Sequence, residues 1–318
     1  MRSFKQTVYA VFFMVLFFSA GAQNGAIIKQ TPYTIADSSR EQLEKMYAPT
    51  DSILRQVDFF SITYLSEGLK VNGYLAIPKK MGHYPSIIYN RGGNREQGSL
   101  NDLAIIRMLG TVASWGYVCI ASQYRGNGGS EGKEEFGGRD VNDVLNLIPC
   151  LDHIRQADTS RIGMFGWSRG GMMTYLALTK TSRMKAAVIG SGMADAFGSL
   201  QKRPDMNAVF AELVPEYEHK KDSLLRSRSA LYWVDKISPA TPLLLLAGTA
   251  DWRVSPEDAM AMASKLYALK HPFRFELFEG GQHSLSEHTS EVNHAIQIFL
   301  DKYVRDKDSW PSMELHGN

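Results

Sequence analysis

The sequence predicts an α/β fold: a mostly parallel central sheet with helices on both faces and an antiparallel hairpin at its N-terminal edge. Three observations carry this. Near-continuous apolar runs such as Leu243-Leu244-Leu245-Leu246 read as strands buried on both faces, as parallel sheets require. From residue 117 to residue 304 such runs alternate with helix-spaced segments, the order of successive strand–helix units. The first two strands are instead joined only by Glu67-Gly68-Leu69, a loop short enough for a hairpin.

The chain has 318 residues, 44% of them hydrophobic and 21% charged. That excludes a disordered, collagenous or coiled-coil chain and leaves enough material for a large core. Two cysteines, Cys119 and Cys150, are too few for a disulfide scaffold or a cysteine-built zinc module. Both lie in apolar stretches and are expected as buried thiols.

Arg2 and Lys5 precede an apolar run from Val8 to Phe18, followed by Ala20-Gly21-Ala22. This pattern reads as a secretory signal over residues 1–22, so the protein is expected to be exported, periplasmic or secreted. No cysteine at the cleavage site marks a lipoprotein, and no stable membrane span is expected after cleavage. Losing Arg2 and Lys5 takes the formal charge from +2 to zero. No Lys/Arg run remains, so a nucleic-acid partner is not expected.

The elements follow in order. Residues 23–57 form a polar, partly helical N-terminal arm. The catalytic domain is expected over 58–305. Strands at 60–66 and 70–77 form the hairpin, and an apolar strand at 84–89 runs into Asn90-Arg91-Gly92-Gly93. Residues 101–115 are helical, with Leu103, Ile106, Met108, Leu109 and Val112 on the apolar side. Strand 117–123, helix 141–154, strand 161–165, helix 169–179 and strand 186–189 come next. Strand 243–246, helix 256–269, strand 273–278 and helix 287–304 complete the alternation. A charged, helical-looking insertion at 192–235 interrupts it where a lid or substrate-binding segment can sit. Its Phe197, Met206, Phe210, Tyr217, Tyr232 and Trp233 read as core more than pocket. Residues 306–318 are a tail.

The sharpest local signal is Gly166-Trp167-Ser168-Arg169-Gly170, between a strand and a helix. Gly-x-Ser-x-Gly describes a tight turn that lifts the serine hydroxyl above the sheet at a helix N-terminus. A serine hydroxyl needs a base, and the base an orienting carboxylate. Asp251 stands just past the strand 243–246, and His283 in the loop past 273–278, where sites in such sheets collect. Asp258 is the rival acid but falls within the next helix. The other histidines lie on helices, in turns or in the insertion. A developing oxyanion needs two backbone donors. The N–H of Arg169 supplies one, and the loop Arg91-Gly92-Gly93-Asn94 the other.

These residues resemble the α/β-hydrolase superfamily, in particular the catalytic domain of prolyl oligopeptidase-like serine peptidases. The likeness rests on Tyr124-Arg125-Gly126-Asn127-Gly128-Gly129-Ser130, Gly137-Gly138-Arg139-Asp140-Val141-Asn142-Asp143-Val144, Gly166–Gly171, Gly248–Val254 and His283, in family order over residues 58–305. It implies the α/β-hydrolase fold, a Ser168–His283–Asp251 triad and acyl-enzyme chemistry on peptides or acylated amines. It further implies Gly93 as the second oxyanion donor and Arg125 as a structural arginine near the site. The chain departs from the family in three places. No room for a β-propeller lies between Gln23 and Asp58. Arg91 stands where relatives often have His or Tyr, so Arg91, with Arg125, is expected as site support. Arg169 stands where many have Tyr.

The function expected is therefore an exported serine hydrolase acting on a peptide or other small-molecule substrate. The first alternative is a carboxylic-ester hydrolase removing acetyl or aromatic acyl groups from glycans. The second is a non-catalytic binding protein on the same scaffold. No His-Glu-x-x-His, clustered metal-ligand spacing or phosphate-cradling loop is present, so no metal or cofactor is expected.

Overall fold

The computed structural model describes residues 23–317, and the expected signal segment 1–22 lies outside them. Among the described residues nine strands form one sheet: β1 Ile27–Pro32, β2 Val57–Ser66, β3 Leu69–Pro78, β4 Tyr84–Asn90, β5 Val118–Ser122, β6 Ala157–Trp167, β7 Met184–Gly190, β8 Leu243–Gly248 and β9 Phe273–Phe278. Their order is β1-β2-β3-β5-β4-β6-β7-β8-β9. β1, β2 and β3 pair antiparallel, β3 meets β5 antiparallel, and all further pairs are parallel. This is the α/β-hydrolase arrangement expected from the sequence, with one outer strand added.

That added strand comes from the arm. Residues 23–57 supply β1 as well as the helices Asp37–Met46 and Thr50–Gln56. β1 is an edge strand with Lys29, Gln30 and Ile28 exposed, so it carries too little alternation to be read as a strand. The hairpin turn is tighter than expected. Ser66 pairs directly with Leu69, leaving Glu67 and Gly68, both at positive φ, as a two-residue turn.

Alternate strand residues feed two cores. Ile88, Ile120, Met164 and Leu245 face one side with the helices Arg169–Leu178 and Pro256–Ala268, while Ile87, Cys119, Phe165 and Leu244 face the other with the helix Thr289–Leu300. Cys119 and Cys150 are buried and unbridged, and burial pushes the Cys150 thiol up to about 12. The helix expected at 141–154 is two pieces, Val141–Leu145 and Leu147–Leu151. Pro149 has no N–H to return to the preceding turn. The helical run 102–114 contains a π-helical stretch, Ile105–Gly110.

The insertion 192–235 folds into helices Ala196–Lys202, Met206–Leu213 and Tyr217–Ser227. Phe210, Tyr217 and Trp233 are buried in the core beside it, Phe197 is half-buried and Tyr232 is exposed. Asp258 Oδ2 accepts the N–H groups of Ala194 (2.8 Å) and Asp195 (2.9 Å), which fastens the start of the insertion to the helix Pro256–Ala268. The order of strands reverses at β4: the connection from β4 runs to β5 on one side, and that from β6 runs to β7 on the other. The crevice beyond the carboxyl ends of β4 and β6 is therefore a topological switch point, where such sheets bind ligands.

Candidate active site

One residue separates β6 from the helix Arg169–Leu178, and that residue is Ser168. Its backbone sits at φ 60° and ψ −125°, outside the ordinary regions for an L-residue. Neighbouring glycines allow so sharp a turn. A Cβ on Gly166 would lie 2.1 Å from the carbonyl oxygen of Gly170, and one on Gly170 would lie 1.9 Å from that of Asn90. The turn is pinned by Ser168 N–H to the Gly190 carbonyl and Gly171 N–H to the Ser168 carbonyl, both 2.9 Å.

Asp251 lies three residues past β8, and His283 five residues past β9. His283 Nδ1 is 2.8 Å from Asp251 Oδ2, while Asp251 Oδ1 accepts the N–H groups of Arg253 (2.8 Å) and Val254 (3.0 Å). Burial alone would raise the Asp251 carboxyl. The His283 hydrogen bond and the two backbone N–H groups outweigh it and hold the carboxyl below its ordinary value. An ionised carboxylate only accepts, so Nδ1 carries the shared hydrogen and Nε2 is left unprotonated in the neutral ring. His283 and Ser168 line the same cavity of about 590 Å³. Among the described residues no hydrogen bond joins the two side chains; such contacts often tighten only when substrate is bound.

The loop after β4 supplies another wall. Gly92 lies against the Ser168 turn: a Cβ there would sit 3.0 Å from the Trp167 carbonyl oxygen and 3.1 Å from Ser168 Cβ. Gly93 has φ +70°, and a Cβ there would be 2.0 Å from the Gln97 carbonyl oxygen. Arg91 lines the cavity but is buried. Its Nε and Nη2 donate to the Gln123 carbonyl (3.0 and 2.8 Å) and its Nη1 to the Gly92 carbonyl (3.1 Å). The guanidinium is thus committed to main-chain carbonyls and braces the loop. Arg125 does not line the cavity. It is buried against Asp143, with Nη2–Oδ1 at 2.8 Å, and pairs with Glu67 of the hairpin turn.

Arg169 turns inward. Its guanidinium pairs with Glu134 and with Asp140 (2.5 Å), all three almost fully buried, and it packs over the rings of Tyr124 and Phe136. Glu134 also accepts Arg95 N–H (2.7 Å) and Asn127 Nδ2 (3.0 Å). This network locks the first turn of the helix Arg169–Leu178 to the loop over residues 125–140.

A family model described as the prolyl oligopeptidase family matches residues 106–307. The chain belongs to that family. It is accordingly a serine-type peptidase by kinship. The uncharacterized peptidase YtmA of Bacillus subtilis is 32% identical over 231 residues, covering 72% of this chain and 87% of that protein. The uncharacterized peptidase YuxL of the same organism is 28% identical over 238 residues, but this chain spans only 35% of its length. Among solved structures, acylaminoacyl peptidase of Pyrococcus horikoshii superposes with a TM-score of 0.70 at 24% identity, over 89% of this chain and 46% of that one. That likeness concerns the fold.

Three contributions to this family member's site were not legible as such. Trp167 Nε1 donates to the His283 carbonyl at 2.9 Å, though Trp167 is only the variable second position of its motif. Glu134 and Asp140 carry no spacing signal toward Arg169; Asp140 stood inside a resemblance block without a role. Met193, Ser199, Arg203 and Met206 bring the insertion into the cavity wall. Of these, only Met206 is named from the sequence.

Proposed function

We propose that the protein is an exported peptidase in which Ser168, His283 and Asp251 act as a catalytic triad on peptides or acylated amines. The observation that carries this reading is the Asp251–His283 hydrogen bond, which orients the imidazole of a ring lining the cavity that holds Ser168. His283 Nε2 takes the Ser168 hydroxyl proton as Oγ attacks the carbonyl carbon. The N–H groups of Arg169 and Gly93 receive the negative oxygen. Collapse expels the amine, which takes the proton from His283, and leaves an acyl-serine. Water then repeats the sequence and releases the acid. Asp251 stabilises the imidazolium throughout.

Export rests on the N-terminal sequence pattern; a mature N-terminus at Gln23 in protein recovered from outside the cytoplasm is the expected result. The chemistry is tested with residues 23–318 on matched amide and ester substrates of one acyl group, with Ser168→Ala as blank. Amide cleavage that vanishes in the variant is expected. Ester cleavage without amide cleavage would move the assignment to a carboxylic-ester hydrolase.

A further inference from the structure

We propose that the substrate carries a carboxylate near the scissile bond and that Arg203, from the insertion, binds it. This rests on the cavity being the substrate site and adds the substrate's charge. Four arginines line the cavity, Arg91, Arg169, Arg203 and Arg253, against one carboxylate, Glu96. Two of the four are committed. Arg169 is neutralised by Glu134 and Asp140, and Arg91 is tied to carbonyls. Glu96 accepts from Ser99 Oγ of its own loop (2.7 Å) and from Gly128 N–H of the loop after β5 (3.0 Å).

Arg203 and Arg253 remain. Both guanidinium groups pack on the indole of Trp252, at 5.4 and 5.2 Å from its centroid. Arg253 has no carboxylate partner among the described residues. Arg203 has one, Asp205 at 2.8 Å, but that carboxylate is 65% exposed and so holds it weakly. Arg203 Nε is buried without an acceptor among the described residues; so is Arg169 Nε, but the charge of Arg169 is already met by two buried carboxylates, whereas that of Arg203 is not. A buried donor left unpaired is costly, and an incoming carboxylate supplies both the missing acceptor and the opposite charge. A neutral amide supplies only the acceptor, and a cation is repelled. The carboxylate can be an Asp or Glu side chain or the free C-terminus of a short peptide.

The test uses Ser168→Ala protein and calorimetric titration with short peptides in matched pairs: Glu against Gln at each position, and C-terminal acid against amide. One carboxylate-bearing member is expected to bind at least about tenfold tighter than its neutral partner. The pair that shows it identifies side chain or terminus. Adding Arg203→Gln should bring that ratio close to one, and Arg203→Lys should keep part of it, which separates charge from folding. Equal binding in every pair, or a ratio that survives Arg203→Gln, overturns the proposal. The same pairs are then turned over by the enzyme with Ser168 intact. Hydrolysis without a charge preference keeps the peptidase and removes this inference. A binding preference without hydrolysis keeps this inference and removes the peptidase. Binding of no peptide removes both.

Discussion

The indole N–H of Trp167 donates to the main-chain carbonyl of His283 at 2.9 Å, across 116 residues of sequence. The residue before Ser168 thereby holds the loop that carries His283, the base proposed above. Trp167→Phe keeps the ring and removes the donor. We expect kcat to fall about three- to tenfold with KM little changed, because the bond positions the base and does not bind substrate. Steady-state kinetics on one amide substrate checks the split; a rise in KM alone would contradict it.

Gly92 faces Ser168 so closely that a methyl group there must displace the nucleophile turn. Gly92→Ala is expected to lower kcat/KM more than tenfold while thermal stability changes little. Gly166→Ala, whose Cβ would meet a backbone oxygen at 2.1 Å, should instead fail to fold stably. Melting temperature and turnover, measured on both, distinguish a site defect from a fold defect.

Arg169 is buried and held by two carboxylates. Glu134→Gln leaves Asp140 as the countercharge of Arg169 but turns one of the two buried acceptor oxygens, which take Arg169, Arg95 N–H and Asn127 Nδ2, into a donor, and should cost about 1–3 kcal/mol in denaturant unfolding. Asp143→Asn at the Arg125 pair should cost a similar amount. Because Arg125 stands outside the cavity wall, kcat/KM of the surviving folded Asp143 variant should match that of the unmodified enzyme. An unchanged unfolding midpoint in either variant would remove the structural role assigned to that pair.

Burial raises the Asp258 carboxyl from 3.8 to about 6, although the Ala194 and Asp195 N–H groups partly oppose the shift. Between these values the folded chain keeps a proton that the unfolded chain has lost. Stability therefore falls as pH rises through this window, and it stays lower above it. Asp258→Asn is neutral throughout, and its carbonyl can accept both N–H groups. It should be more stable than the unmodified protein at pH 8, by up to about 3 kcal/mol, and near equal at pH 4. Equal losses at the two pH values would show that ionisation of Asp258 is not responsible.

The sequence made the scaffold legible where the signal was local. Runs such as Leu243-Leu244-Leu245-Leu246 announced strands because burial on both faces leaves no polar alternation. The glycines around Ser168 announced the turn because no Cβ fits there. Asp251 and His283 followed from their places just beyond strand ends. β1 was missed because an exposed edge strand buries too little to impose a pattern.

By itself, then, the sequence determined the α/β-hydrolase architecture, the family and the three residues proposed for the chemistry. The architecture is written in hydrophobic period and chain order, the three residues in turn chemistry and in their places past strand ends, and the family in the resemblance of the motif blocks between Tyr124 and His283. Only the tertiary structure decided what surrounds them. It tied the Arg169 guanidinium to Glu134 and Asp140, tied Arg91 to carbonyls and put Arg125 outside the cavity wall. It also set Trp167 against the His283 loop and left Arg203 Nε without an acceptor. Partners of a charged side chain come from segments tens to hundreds of residues apart. No local period encodes such pairings; they exist once packing has fixed where each segment lies.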